Sequence, residues 1–308
     1  MSDIWQWIND AASDLVTLQP QAEGLWANIK AFANSAFTIS LAGAFGGAYA
    51  AQKIAEKAKV RDEVLKDIRS TNRALILALT ITNLALALKN QYIQKLKTSY
   101  DADLEKYSTH VSLVRNKIIG VKKPLELSMD FTTLEKMSPP IEALQNIVLE
   151  KISTAGRALA TVTALADGIA NLNATLQRRN DLIASYKAKD LPYGARIEDL
   201  YLGLRYGDGN VNNEYGNTLQ GAYLYTDDVI FFGMKLCEDL LSHGHRVVTK
   251  NKKRLRGASS DLVEADFAAA RDLGLIPSDD QYTDWLSGLQ EKRKPKSPWW
   301  KFRGRNVD

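Results

Sequence analysis

The sequence predicts an all-α protein: a long antiparallel helical hairpin or bundle in the cytoplasm, behind a single N-terminal transmembrane helix. Three observations predict it. Two long segments repeat apolar residues at three- and four-residue steps, the period of a helix with one buried face. A charge-free run from Ala31 to Gln52 lies between Lys30 and Lys53. No strand-period segment of useful length and no internal repeat accompanies them.

Composition bounds the function before any motif is read. Of 308 residues 45% are hydrophobic and 25% charged, and 40 Lys+Arg face 36 Asp+Glu. That is ordinary globular usage, which excludes wholesale disorder and a polytopic membrane protein. A net charge of +4 is too small to mark a nucleic-acid binder, so basic function must come from local clusters. A single cysteine, Cys237, excludes an intrachain disulfide and a cysteine-based metal site.

Four regions follow. Residues 1–30 form an acidic leader in which Trp5, Trp7 and Trp26 suit an aromatic belt at a membrane interface. Residues 31–52 are the expected span: as a helix they reach roughly 33 Å, against about 30 Å of hydrocarbon. The run is rich in Ala and Gly rather than Leu, so a closely packed helix of a soluble bundle is the competing reading. Gly43 and Gly47 make a GxxxG pair, and Gly46 and Ala50 repeat the spacing beside it, so these four residues are the expected helix-association face. Lys53, Lys57, Lys59, Arg61, Lys66, Arg69 and Arg73 follow the span, and Asp3, Asp10, Asp14 and Glu23 precede it. The positive-inside rule then places the N-terminus outside and the bulk of the chain in the cytoplasm.

Residues 53–290 are the expected cytoplasmic helical domain. Val64, Ile68, Thr71, Leu75, Leu79, Thr82, Leu86, Ile93, Leu96, Tyr100, Leu104 and Tyr107 trace one long amphipathic helix with a skipped turn at Lys89. Its centre, Ala74 to Leu88, is apolar nearly all round but short for a span, so other helices should surround it. After a basic connection and the Leu127-to-Thr133 segment, Pro139 and Pro140 suit the start of a second long helix from Ile141 to Lys187. An antiparallel hairpin of the two, with residues 154–175 against 74–88, is the economical arrangement. Residues 190–218 read as an ordered loop, and helix resumes from Leu219 to Val248. Shorter helices from Ser260 and Asp279 close the domain, with Ser260 and Ser278 as caps.

Candidate chemistry is sparse. Asp239 and His243 share a helix face but, even with His245, make no complete metal set; Gly244 suggests that the helix ends there, with the histidines near its C-terminal dipole. The Asp208–Glu214 stretch imitates the start of a calcium loop but lacks its central Gly and final Glu, and turn chemistry explains its composition. Asp227 and Asp228 ahead of VIFFGM are acids at a pocket edge or a solvated face. No phosphate loop, dinucleotide fingerprint, HExxH or nucleophile elbow is present. No catalytic residue, metal or cofactor is therefore expected. Arg246, Lys250, Lys252, Lys253, Arg254 and Arg256 form one basic cluster. Residues 291–308 form another, in which Lys294, Lys296, Trp299, Trp300, Lys301 and Arg303 suit contact with anionic lipid headgroups. Nucleic acid is the competing partner for such a basic, aromatic tail. The expected function is a non-enzymatic, membrane-anchored scaffold or sensor that self-associates and presents its helices to a cytoplasmic protein. A pore-forming effector is the alternative, and a soluble metal-dependent enzyme using Asp239, His243 and His245 the third reading.

Overall fold

Most of the described chain is helical, with few strands, in keeping with an all-α class. The computed structural model describes residues 36–120, 124–154, 156–257 and 260–288, with side chains from Gly47 onward. The chain divides into two units, Met1–Glu63 and Val64–Asp308. Helix α1 runs Ala36–Leu88, a π turn takes Lys89–Ile93, and α2 follows at Gln94–Arg115. Then come α3 (Ile141–Asn146), a second π turn (Ile147–Lys151), α4 (Arg157–Ala188) and α5 (Ile197–Leu202). A hairpin of β1 (Arg205–Tyr206) and β2 (Asn210–Val211) leads to α6 (Glu214–Asn251), α7 (Ala268–Asp272), a 3-10 turn (Asp279–Tyr282) and α8 (Thr283–Gly288).

In the first unit, every residue of α1 from Gly47 to Lys59 is exposed, including Tyr49 at 60% and Ile54 at 68%. In the second unit, three helical lines share one core. Leu75, Ile81, Ile93 and Leu96 come from the α1–α2 line, Leu165, Leu172, Leu176 and Ile183 from α4, and Leu219, Val229, Ile230, Leu236 and Leu240 from α6. The skipped turn at Lys89 has its cause in the π turn there, whose extra residue rotates the apolar stripe and turns Lys89 inward.

Paired contacts fix the directions. Arg157 meets Asp239 and Arg178 meets Glu214, so α4 and α6 are antiparallel. Asp67 meets His243 and Lys89 meets Asp227, so α1–α2 is antiparallel to α6 as well. The first and second long helices therefore run parallel, with α6 as the antiparallel partner of both, and the expected hairpin between them is not formed. A parallel pair needs a return crossover, and residues 116–156 supply it. The expected continuous helix from Ile141 is also interrupted: Ile152 is extended, and Gly156 takes φ 70°, a conformation that ends helical hydrogen bonding and re-aims the chain into α4. Ser260 caps nothing, because α7 starts at Ala268, whose N–H is taken by Asp266 at 2.8 Å; Ser278 does accept from Asp280 N at 3.3 Å.

The centre of α1 is only half covered. Ala74, Ala78, Ile81, Thr82 and Ala85 are buried, while Ile76 and Leu84 remain 50% and 45% exposed. Among the described residues the stretch Gly47–Arg115 is long and apolar enough to cross a membrane by length and composition, and 44% of its most apolar window is buried inside the protein. It comes close to α6 at Gly233, where an added Cβ would lie 2.2 Å from Thr82 Oγ1. Gly233→Ala should therefore lower stability by about 1–2 kcal/mol despite the helix propensity of alanine. Adding Thr82→Ala should restore part of it; equal denaturation midpoints for both variants would refute the contact.

Candidate functional site

The chain between Pro124 and Pro140 has no regular secondary structure, yet its burial is patterned. Leu125, Leu127, Met129 and Phe131 turn inward while Glu126, Ser128 and Asp130 stay exposed, the period-two alternation of an extended strand. Leu134 and Met137 continue the inward set, with Leu134 5% exposed. Among the described residues no second strand pairs with this segment. Helix side chains take the place of one.

Asn180 on α4 accepts from Leu134 N at 3.1 Å and donates to Leu134 O at 2.6 Å. One face further along α4, Asn173 accepts from Met137 N and donates to Met137 O, both at 2.8 Å. Seven helical residues rise about 10.5 Å. Three extended residues reach about 10–11 Å, so this double register is met only by an extended chain running antiparallel to α4. Between the two clamps and the start of the segment, Arg179 donates to Thr132 O at 2.6 Å and Asp130 O at 3.3 Å, and Tyr215 on α6 donates to Asp130 O at 2.9 Å.

The other end is held from α2. Asp103, fully buried, accepts from Ser128 N at 2.9 Å, from Met129 N at 3.1 Å and from the Tyr201 hydroxyl of α5 at 3.0 Å. Burial opposes its charge, but these backbone and hydroxyl donors, with Lys106 at 3.3 Å, outweigh it and hold the carboxyl below its ordinary range. A depressed carboxyl lends stability above its unfolded pKa and loses it as pH falls through the folded one. Acidification below about pH 4 should therefore release the segment first, read as faster amide exchange at Ser128 and Met129 than at Leu134; a uniform loss of protection would contradict this. Met129 sits at φ 42°, a strained value for a non-glycine residue, kept because its N–H is bound by Asp103.

Phe131 is the anchor. Its ring meets Tyr186, Tyr201 and Tyr215 edge-on at 5.7, 5.6 and 5.7 Å, and Tyr100 closes the cluster against Tyr201 at 5.3 Å. Burial pushes the Tyr186 hydroxyl up to about 12. Arg179 Nε and the Tyr186 hydroxyl are buried there without a hydrogen-bond partner. The arrangement reads the main chain of an extended peptide through Asn, Arg and Asp side chains and its side chains through apolar pegs. The signal for it lay in the Leu-x-Leu-x-Met-x-Phe spacing of residues 125–131, which sequence reasoning passed over as a connection.

The sequence-marked residues fall elsewhere. Asp239 is taken by Arg157, whose Nε lies 3.0 Å away, while His243 faces Asp67 at 3.3 Å and His245 is exposed. Asp67 also accepts from Ser153 at 2.5 Å; burial opposes its charge, but His243 and Ser153 hold its carboxyl below the ordinary value. Among the described residues no group of three or more His, Cys, Asp or Glu is placed to hold a metal ion. Gly244 does not end the helix: α6 continues to Asn251, and Leu262 packs where a Gly244 side chain would be. Asp208 lies exposed in the β1–β2 turn, and Asn212, Asn213 and Glu214 line an open cleft of about 720 Å³ with Arg178. Asp227 is paired with Lys89 at 2.5 Å, and Asp228 accepts from Tyr282 at 2.8 Å. Of the helix-association set, Gly47 and Ala50 are exposed, and Gly43 and Gly46 lie outside the residues whose surroundings are described. So do Lys294, Lys296, Trp299, Trp300, Lys301 and Arg303.

No family model, curated protein or solved structure matches the chain.

Proposed function

We infer that this chain is a non-enzymatic, membrane-anchored helical scaffold: residues 31–52 cross the bilayer and the helices from Val64 onward engage a protein partner in the cytoplasm. The observation that carries this is the exposed stretch Gly47–Lys59 of α1. A helix with no buried face gains nothing from tertiary packing in water, and most helical stability in proteins comes from such packing. A helix that has just left a bilayer, with Lys53, Lys57 and Lys59 at the headgroups, has that pattern of exposure. Gly43, Gly46, Gly47 and Ala50 would bring two copies together within the bilayer, and the tail from Lys294 to Arg303 would add a contact to anionic lipid.

Fractionation with a carbonate wash tests the anchor, comparing the full chain with one lacking residues 1–52. The full chain should stay with the membrane and the shortened one should wash off. Release of both would remove the anchor and return α1 to the status of a bundle helix.

A further inference from the structure

The groove around Phe131 is built by elements that all lie outside the segment it holds. Asp103 belongs to α2, Asn173, Arg179 and Asn180 to α4, Tyr201 to α5 and Tyr215 to α6. Every polar contact they make with the segment goes to its backbone: the N–H of Ser128, Met129, Leu134 and Met137, and the C=O of Asp130, Thr132, Leu134 and Met137. The segment's side chains contribute apolar pegs, Phe131 in the tyrosine pocket and Leu134 in the core. Main-chain hydrogen bonds with alternating side-chain pockets are the means by which proteins bind extended peptides of a partner. The segment is also held at a cost, with Met129 strained and Arg179 Nε and the Tyr186 hydroxyl left unpaired beneath it.

We propose that this groove is a peptide-binding site, occupied in the resting chain by its own residues 124–138, and that its partner is an extended segment of another protein carrying an aromatic anchor with aliphatic residues three and six positions later. The cis segment defines that chemistry: Phe131, Leu134 and Met137 are the pegs, and the clamps are indifferent to what stands between them. The clamps at Leu134 and Met137 use both hydrogen-bonding groups of one residue, so proline is refused at the two aliphatic positions. Binding in trans requires the cis segment to leave, so the apparent affinity is the intrinsic one reduced by the fraction of chains whose groove is open. The cis segment is thus an inhibitor in competition with the partner. The inference deepens the partner-engaging part of the function proposed above and is independent of the membrane anchor.

The test uses the full chain and a fluorescein-labelled peptide of residues 124–138. Phe131→Ala/Leu134→Ala in the chain cuts the cis pegs and leaves every wall of the groove intact. Fluorescence anisotropy should show saturable binding to that variant, at least about tenfold tighter than to the unaltered chain. The same two alanines placed in the peptide should weaken its binding at least about tenfold, as should adding Asn173→Ala to the chain. Equal affinity for both chains, or indifference to the peptide's alanines, would overturn the proposal by placing binding elsewhere. So would a well-folded variant that binds nothing. A variant that fails to fold, judged by circular dichroism, overturns it too, since a groove that cannot stand without its own segment cannot hold another's. A chain that washes off membranes yet binds the peptide would refute the anchor alone.

Discussion

Replacing Lys89 with methionine should cost the chain about 3–5 kcal/mol of stability, the largest loss expected of a single polar substitution here. The Lys89 and Asp227 side chains are 3% and 5% exposed and pair at 2.5 Å. The ammonium also donates to Leu275 O at 2.8 Å and lies 5.0 Å from the Tyr223 ring centre. Methionine matches the stem but leaves a carboxylate buried without its counter-ion. Burial already raises the Asp227 carboxyl above its usual range, with Lys89 opposing that rise. Losing Lys89 raises it further, so the penalty relative to the unaltered chain is full at neutral pH and shrinks as pH falls toward 4, where Asp227 takes up a proton in both folded and unfolded chains. Lys89→Met/Asp227→Leu removes both charges and should recover most of the loss, because apolar replacement of a whole buried pair is often neutral. Urea midpoints of the single and double variants decide the matter. A single variant within about 1 kcal/mol of the unaltered chain would mean that water reaches the pair.

The same lysine shows where the sequence was readable. Apolar residues at helical spacing from Val64 to Tyr107 marked the helix, and their slip at Lys89 has its cause in the π turn that shifts its face. Long periodic helices declare themselves because each buried position repeats the same choice. Chain direction does not declare itself in that way. The pairing of α4 with the α1–α2 line depends on α6, whose contacts at Asp67, Thr82 and Lys89 are spread over a long separation in sequence. The groove was hidden for a different reason. Asn173, Arg179 and Asn180 sit on a helix whose apolar seam is ordinary, and polar residues between seam positions read as a solvated face. Only their juxtaposition with the backbone of residues 128–137 gives them a role. The Leu-x-Leu-x-Met-x-Phe run has the spacing of an extended segment but reads as a connection, because a lone strand without a partner has no place in an all-helical reading. Asp239 and His243 failed as a pair because sharing a helix face does not stop each from turning to a nearer partner, Arg157 and Asp67.

Asp103→Ala should cost about 3 kcal/mol or more, and the loss should be concentrated on one segment. The carboxylate, itself fully buried, is the acceptor for two backbone N–H groups and for the hydroxyl of the buried Tyr201. Hydrogen bonds to a charged acceptor contribute about 1.5–3 kcal/mol each, and buried donors left unmatched carry a desolvation penalty of their own. Asp103→Asn keeps the shape and one acceptor oxygen but turns an amide N–H₂ toward groups that are themselves donors, so it should lie between alanine and the native residue. The distribution of the loss distinguishes a clamp from a general core residue. If Asp103 holds the segment, amide protection at Ser128 and Met129 collapses while protection in α4 and α6 falls only with global stability. Met129 should then relax from its left-handed backbone, since the N–H bond that held it there is gone. Protection lost evenly over α2, α4 and α6 would instead make Asp103 a part of the bundle core, and the segment would owe its place to Phe131, the two asparagines, Arg179 and Tyr215.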